Sequence, residues 1–260
     1  MLSPGRFTAL SLLVGLLVAG VSSGTKSQTP VETRRCAAPS SLLDSPYNLP
    51  RTRARLVTGQ SLTIVALGSS STEGIGASDR AHNYPSRLEA ELRQRFPRSE
   101  ITVINRGVSG DDSAGMLQRF QRDVLDLHPD LLIWQVGTNS ALRDESVATF
   151  AEDLTRGINL ARAAGIDVML MEPQNAPRVT AKAGSHAFIR QLHLTSQAER
   201  VPMVMRFEIM AHWVSTGQFA MADMINRDGL HMTDASYHCL GRIVAAMIAR
   251  QAPANVAGAQ

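Results

Sequence analysis

Aromatic side chains are scarce in this 260-residue chain, at 5% of positions. None is interleaved with a basic run, and the densest basic cluster is only Arg51, Arg53 and Arg55. Nucleic-acid surfaces combine clustered cations with stacking platforms. With a formal net charge of only +3, nucleic acid is not an expected partner. Phosphate-binding loops are missing too. No Gly-Lys-Ser/Thr follows the glycine-rich stretch, and Gly74-Ile-Gly76 lacks the third glycine of a dinucleotide fingerprint. His231, His238 and Cys239 fit no common zinc spacing, so neither a metal nor a cofactor is expected. There is no internal repeat.

Cysteine is limited to Cys36 and Cys239. In an oxidising compartment the two can pair, tying an amino-terminal arm to the last helix; the alternative is a buried Cys239 and a free Cys36. The first residues have the layout of a secretory signal: Arg6, an apolar stretch at 9–21, and the small residues Ser22, Ser23 and Gly24. That stretch is shorter than the roughly 20 residues of a membrane-spanning helix. No cysteine follows it directly, which argues against a lipid anchor. The expectation is an exported protein, periplasmic or secreted, with no stable membrane insertion after processing of residues 1–24.

The composition suits a globular core, with 44% hydrophobic and 19% charged residues. Residues 25–60 are polar and rich in Ser, Thr, Pro and Arg, and read as a linker or arm lying over the surface. Residues 61–252 form the expected domain, followed by a short tail at 253–260. Within the domain, short apolar runs at 62–67, 101–104, 131–136, 166–171 and 201–205 read as strands. Helical patterns lie between them at about 84–96, 114–127, 145–164, 181–199 and 206–217, and the last helix spans about 233–251. Strands alternating with helices predict a single α/β domain of three layers, α/β/α, with a parallel, flavodoxin-like sheet. The site of such a sheet lies outside the carboxyl ends of its strands. That rule points to loops beginning at Gly68, Gly107, Gly137 and Pro173.

Those loops carry chemistry. The first strand runs into Gly68-Ser69-Ser70-Ser71-Thr72, the second into Asn105-Arg106-Gly107-Val108-Ser109-Gly110, and the third into Gly137-Thr138-Asn139-Ser140. Asp228-Gly229-Leu230-His231 precedes the last helix. A serine at a strand-to-helix turn exposes its Oγ, and a histidine can take its proton. An aspartate three residues before the histidine can orient the ring. Glycine N–H groups and an asparagine amide supply donors for a developing negative charge.

From these blocks, in this order and spacing, residues 62–251 resemble the SGNH hydrolases, or GDSL-type esterases and lipases. The resemblance implies Ser70 as nucleophile, with His231 and Asp228 completing the catalytic triad. It implies an oxyanion hole made by the N–H groups of Ser70 and Gly107 and the Asn139 side chain. Two positions depart from the family pattern. Ser69 stands where an aspartate usually braces the loop, and Ser140 where an aspartate often follows the asparagine. The implied reaction is acyl transfer from an ester to water, with a small-molecule or carbohydrate ester as substrate; transfer to another acceptor, or a non-catalytic carbohydrate-binding role, uses the same fold. Gln174, Asn175 and Arg178 follow the fourth strand and are placed to meet a polar alcohol portion. Met203, Met205, Met210, Met221, Met224 and Met232 crowd the stretch up to and around His231, and are read either as core or as a flexible apolar wall for an acyl group.

Overall fold

The computed structural model describes residues 1, 2 and 35–252. The expected signal segment at 1–24 lies outside the described residues apart from the first two, and the tail at 253–260 lies outside them altogether. The five expected strands are present. They are β1 (Leu62–Gly68), β2 (Ile101–Gly107), β3 (Leu131–Gln135), β4 (Asp167–Met171) and β5 (Met203–Val204). All pair in parallel, in the order β2-β1-β3-β4-β5. This is the doubly wound order whose switch point lies between β1 and β3. The register sets Gly68 opposite Gly107, so the first two loops leave the sheet at the same height.

Among the described residues the helices longer than five residues are α1 (Pro50–Thr58), α2 (Tyr84–Arg95), α3 (Ser113–Gln118), α4 (Val147–Ala163), α5 (Ser185–Glu199), α6 (Arg206–Ser215) and α7 (Asp234–Ala249). Their ends follow local chemistry. The Asn83 side chain accepts the Ser86 N–H at 2.9 Å to start α2, and the Ser146 hydroxyl accepts the Thr149 N–H at 3.3 Å to start α4. Thr233 and Ser236 form a reciprocal capping box at the start of α7, two residues after His231.

Alternation along the strands divides the core in two. Leu62, Ile64 and Ala66 face one side with Leu88, Leu92, Trp213, Tyr237 and Val244. Val65 and Leu67 face the other with Phe150, Leu154, Ile158, Phe188 and Leu192. Each layer buries the apolar stripe of its helices against one face of the sheet.

Two expectations are corrected. The stretch at 25–60 is not a surface arm from Cys36 onward. Thr52 and Leu56 are buried along one face of α1, with Leu49 buried just before it, while Arg51, Arg53 and Arg55 stand away from that face. The polar composition hid an amphipathic helix whose apolar stripe is only three residues wide. Cys36 and Cys239 are bonded, across a separation of 203 residues, so the segment is also covalently tied to α7. The single helix expected over 114–127 breaks into α3, a turn at Phe120–Asp123 and a 3-10 turn at Leu125–Leu127. The break falls at Arg119, whose guanidinium turns inward to the carbonyls of Gly68 and Arg106, each at 3.0 Å. Among the described residues, no helix is long and apolar enough to cross a membrane.

Candidate active site

Chain order keeps Ser70 and His231 far apart; the sheet brings them together. β1 ends at Gly68, Ser69 is extended, and Ser70 opens a one-turn helix over Ser70–Glu73. The Asp228–His231 loop reaches the same point from the other side of the switch. The Ser70 Oγ lies 2.9 Å from His231 Nε2, and His231 Nδ1 lies 2.5 Å from Asp228 Oδ2. With the Nδ1 proton shared with the carboxylate, Nε2 is left as the acceptor a serine hydroxyl needs. Asp228 Oδ1 is held by the Leu230 and His231 N–H groups at 2.9 and 3.0 Å. Partial burial opposes its charge, but those two N–H groups and the His231 ring outweigh that and bring its pKa down to about 2. The His231 side chain is 16% exposed and that of Asp228 42%, so the relay runs from the protein surface inward to the serine.

The sequence departure at Ser69 is answered by β3. Gln135, fully buried at the end of that strand, accepts the Ser69 N–H at 3.0 Å, the Ser69 hydroxyl at 3.1 Å and the Thr72 hydroxyl at 3.2 Å. A neutral amide oxygen thus braces the nucleophile turn.

The expected donors are placed unequally. The Ser70 N–H begins the short helix. Asn139 lies in the short helix after β3, and its Nδ2 donates to the Asp111 carbonyl at 2.8 Å, leaving a second N–H. Gly107 requires a correction. Its N–H donates to Asn105 Oδ1 at 2.9 Å and is therefore committed. A Cβ there would lie 2.0 Å from the Glu73 backbone nitrogen, so glycine at this position serves close packing of the β2 loop on the nucleophile turn. Three residues on, Gly110 is exposed at φ +84, its carbonyl held by Arg143 Nη2 at 2.7 Å. The loop between is tied to the nucleophile turn through Glu73, whose carboxylate accepts both the N–H (2.8 Å) and the hydroxyl of Ser109.

The residues after β4 also divide. Gln174 is corrected: it is 1% exposed, accepts from Arg206 at 2.9 Å and Thr138 at 3.2 Å, and donates to the Leu230 carbonyl at 3.0 Å. It supports the site from beneath and has no face to a substrate. Asn175 is half-buried and Arg178 exposed. The Arg178 N–H donates to the Gly229 carbonyl at 2.9 Å, which sets this residue beside the Asp228–His231 loop. Of the methionines, Met203, Met210, Met224 and Met232 are buried in the core, which disposes of the acyl-wall alternative for those four.

Glu73, Gln135, Arg119 and Arg206 escaped sequence reasoning. Gln135 alone left a signal, as the polar residue closing an otherwise apolar strand. A further cluster sits behind the site, where Glu172, His193 and Glu208 each bring one donor atom within 4.8 Å of the others. Among the described residues this is the set that a cation would fit. His193 Nε2 lies 2.5 Å from Glu172 and 3.7 Å from Glu208, and contact with the two carboxylates raises its pKa to about 10. The imidazolium thus supplies the positive charge between the two glutamates.

Similarity to known proteins agrees with this geometry. The chain is 26% identical to the esterase TesA of Pseudomonas aeruginosa over 169 residues, 65% of this chain and 79% of that protein. It is 31% identical to an arylesterase of Vibrio mimicus over 96 residues, spanning 36% of this chain and 46% of the relative. Among solved structures, TesA superposes with a TM-score of 0.62 at 25% identity, covering 73% of this chain and 99% of that one. A two-domain esterase active on acetylated mannans superposes with a TM-score of 0.64 at 22% identity, covering 80% of this chain and 54% of that one. Residues 35–254 match the Non-GDSL lipase-like family. An SGNH-type hydrolase fold, a serine in contact with a histidine and an aspartate behind it converge on one assignment: the chain belongs to the Non-GDSL lipase-like family.

Proposed function

We propose that this protein is an exported serine esterase that removes short O-acyl groups, acetyl foremost, from carbohydrate or small alcohols. The observation that carries the reading is the continuous contact from Ser70 Oγ through the His231 ring to Asp228. Ser70 Oγ attacks the ester carbonyl as His231 Nε2 takes its proton. The tetrahedral oxyanion is held by the Ser70 N–H, the Asn139 side chain and the N–H of Gly110, which replaces the committed N–H of Gly107. Collapse expels the alcohol, protonated by His231. Water then attacks the acyl-enzyme with His231 again as base, releasing the acid and restoring the serine hydroxyl.

A short acyl group is supported by the burial of Met203, Met210, Met224 and Met232, which leaves them unable to line a long acyl channel. Asn175 and Arg178 offer polar contacts for the alcohol portion. The Cys36–Cys239 bond supports an oxidising compartment. The esterase active on acetylated mannans shares the fold, consistent with this substrate class. The test is fluorophosphonate labelling with peptide mapping, followed by turnover of a p-nitrophenyl ester series and of acetylated polysaccharide. An adduct on Ser70, fastest turnover at acetyl and acetate release from the polysaccharide are expected. A well-folded chain that yields no Ser70 adduct refutes the reading.

A further inference from the structure

Arg206 opens α6 and is completely buried. Among the described residues no carboxylate oxygen lies within ion-pair distance of its guanidinium. Burying an unpaired charge is costly, and an apolar side chain of similar volume would serve packing better. Burial lowers its pKa only to about 10, so it remains a cation at neutral pH. What arginine supplies that an apolar residue cannot is a rigid, planar set of donors aimed in several directions.

Those donors have specific destinations. Nη1 donates to Ser71 Oγ at 3.0 Å, and Ser71 follows the nucleophile. Nε donates to the Glu172 carbonyl at 2.8 Å, at the end of β4. Nη2 donates to Gln174 Oε1 at 2.9 Å. Gln174 in turn donates to the Leu230 carbonyl at 3.0 Å, and Leu230 precedes His231. Gln174 Oε1 also accepts from Thr138 at 3.2 Å, and Thr138 precedes Asn139. Each of the three loops bearing Ser70, Asn139 and His231 is thus held at the residue beside the one that acts. We propose that Arg206 is a positioning residue for hydrolysis, one buried guanidinium that sets the nucleophile, the oxyanion donor and the base in mutual register. The inference rests on the serine-esterase reading above. It assigns Arg206 no contact with substrate; its effect passes through Ser71 and Gln174.

The experiment measures kcat and KM on p-nitrophenyl acetate, the rate of Ser70 labelling by a fluorophosphonate, and Tm. The proteins are wild type, Arg206→Met, Arg206→Lys, Ser71→Ala and the Ser71→Ala/Arg206→Lys double variant. Asp130→Asn, at the opposite end of the sheet, controls for lost stability alone. In Arg206→Met, kcat and the labelling rate fall by about tenfold to a hundredfold, while KM stays within about twofold. Arg206→Lys recovers part of the loss. Asp130→Asn lowers Tm and leaves kcat unchanged. The double variant loses less than the product of its two single losses, because both act on the same contact. Wild-type kcat in a folded Arg206→Met protein, or strictly multiplicative losses in the double variant, overturns the inference. Should Arg206→Met fail to fold, Arg206→Lys and the Ser71 cycle decide it by the same criteria. A wild-type protein with neither labelling nor turnover overturns the esterase reading and this inference together. Normal wild-type behaviour with no effect at Arg206 overturns this inference alone.

Discussion

The two ends of the sheet both bury charge, and they use it differently. At the amino end, Asp130 accepts from Arg51 at 2.7 Å, Arg55 at 3.0 Å and the Thr63 N–H at 3.0 Å, while Asp167 accepts the N–H and hydroxyl of Thr52 at 2.7 and 2.8 Å. Every carboxylate there meets opposite charge or N–H groups, and the result is a staple between α1 and the strand starts. At the carboxyl end, the buried cation Arg206 donates to three neutral oxygens and touches the Met232 sulfur at 4.0 Å, and Asp228 is left half in water behind a histidine. Charge at the amino end closes on itself, as it also does in the Glu172–His193–Glu208 cluster after β4; at the active site it is directed, through the His231 ring, toward one serine oxygen. Connectivity, more than burial, separates a structural ion cluster from a catalytic one.

Substitutions can break that contrast, and the largest effect is expected at the serine. Ser70→Ala or His231→Ala should cut kcat by up to about a millionfold with the fold intact by circular dichroism. Asp228→Asn comes next, at about 10⁴-fold, because the neutral amide presents the imidazole in the wrong tautomer. Asn139→Ala should lose about a hundredfold or more in kcat with little change in KM; turnover equal to wild type would remove Asn139 from the oxyanion hole. At the other end, Asp130→Asn should leave kcat untouched and lower Tm by roughly 5 °C, read by calorimetry.

The smallest and broadest effect concerns acid. Asp123 is held down to about 2, first by its hydrogen bond to Arg122 and then, against burial, by Arg119, from an ordinary value of 3.8. Asp228 is likewise brought to about 2. A carboxylate depressed in the folded state stabilises it fully above the unfolded value and loses that contribution as pH falls toward the folded one. The contribution of these two carboxylates to stability should therefore hold down to about pH 4 and be lost between about pH 4 and 2. In Asp123→Asn the decline should be shallower, as measured by urea unfolding across that range.

Much of this was legible in the chain. β1, β3 and β4 were plain because a strand covered on both faces is a continuous apolar run, and the edge strand β2 because its first four residues are β-branched. Their carboxyl ends were plain because each of the first three runs stops at glycine and small polar residues. Ser70, Asp228 and His231 followed from that placement and from the resemblance. Helix α1 was not legible, since its apolar stripe is Leu49, Thr52 and Leu56 amid arginines, and threonine does not advertise burial. Gly107 looked like the donor because the resemblance sets the family's second-block glycine there, yet only the folded loop shows its N–H turned to Asn105 and no room for a Cβ beside Glu73. Gln174 looked like a surface contact because a polar residue after a strand reads as loop, and its enclosure by Arg206, Thr138 and Leu230 comes from three distant segments.

By itself the sequence determined the order of strands and helices and the chemistry carried by each loop, because periodicity and turn residues act over a few neighbours. Only the tertiary structure decided which donors are free, which polar groups are committed and what braces the nucleophile. Those outcomes depend on hydrogen bonds between residues as far apart as Ser71 and Arg206, and a hydrogen bond is settled by distance and direction in space, which no local pattern along the chain encodes.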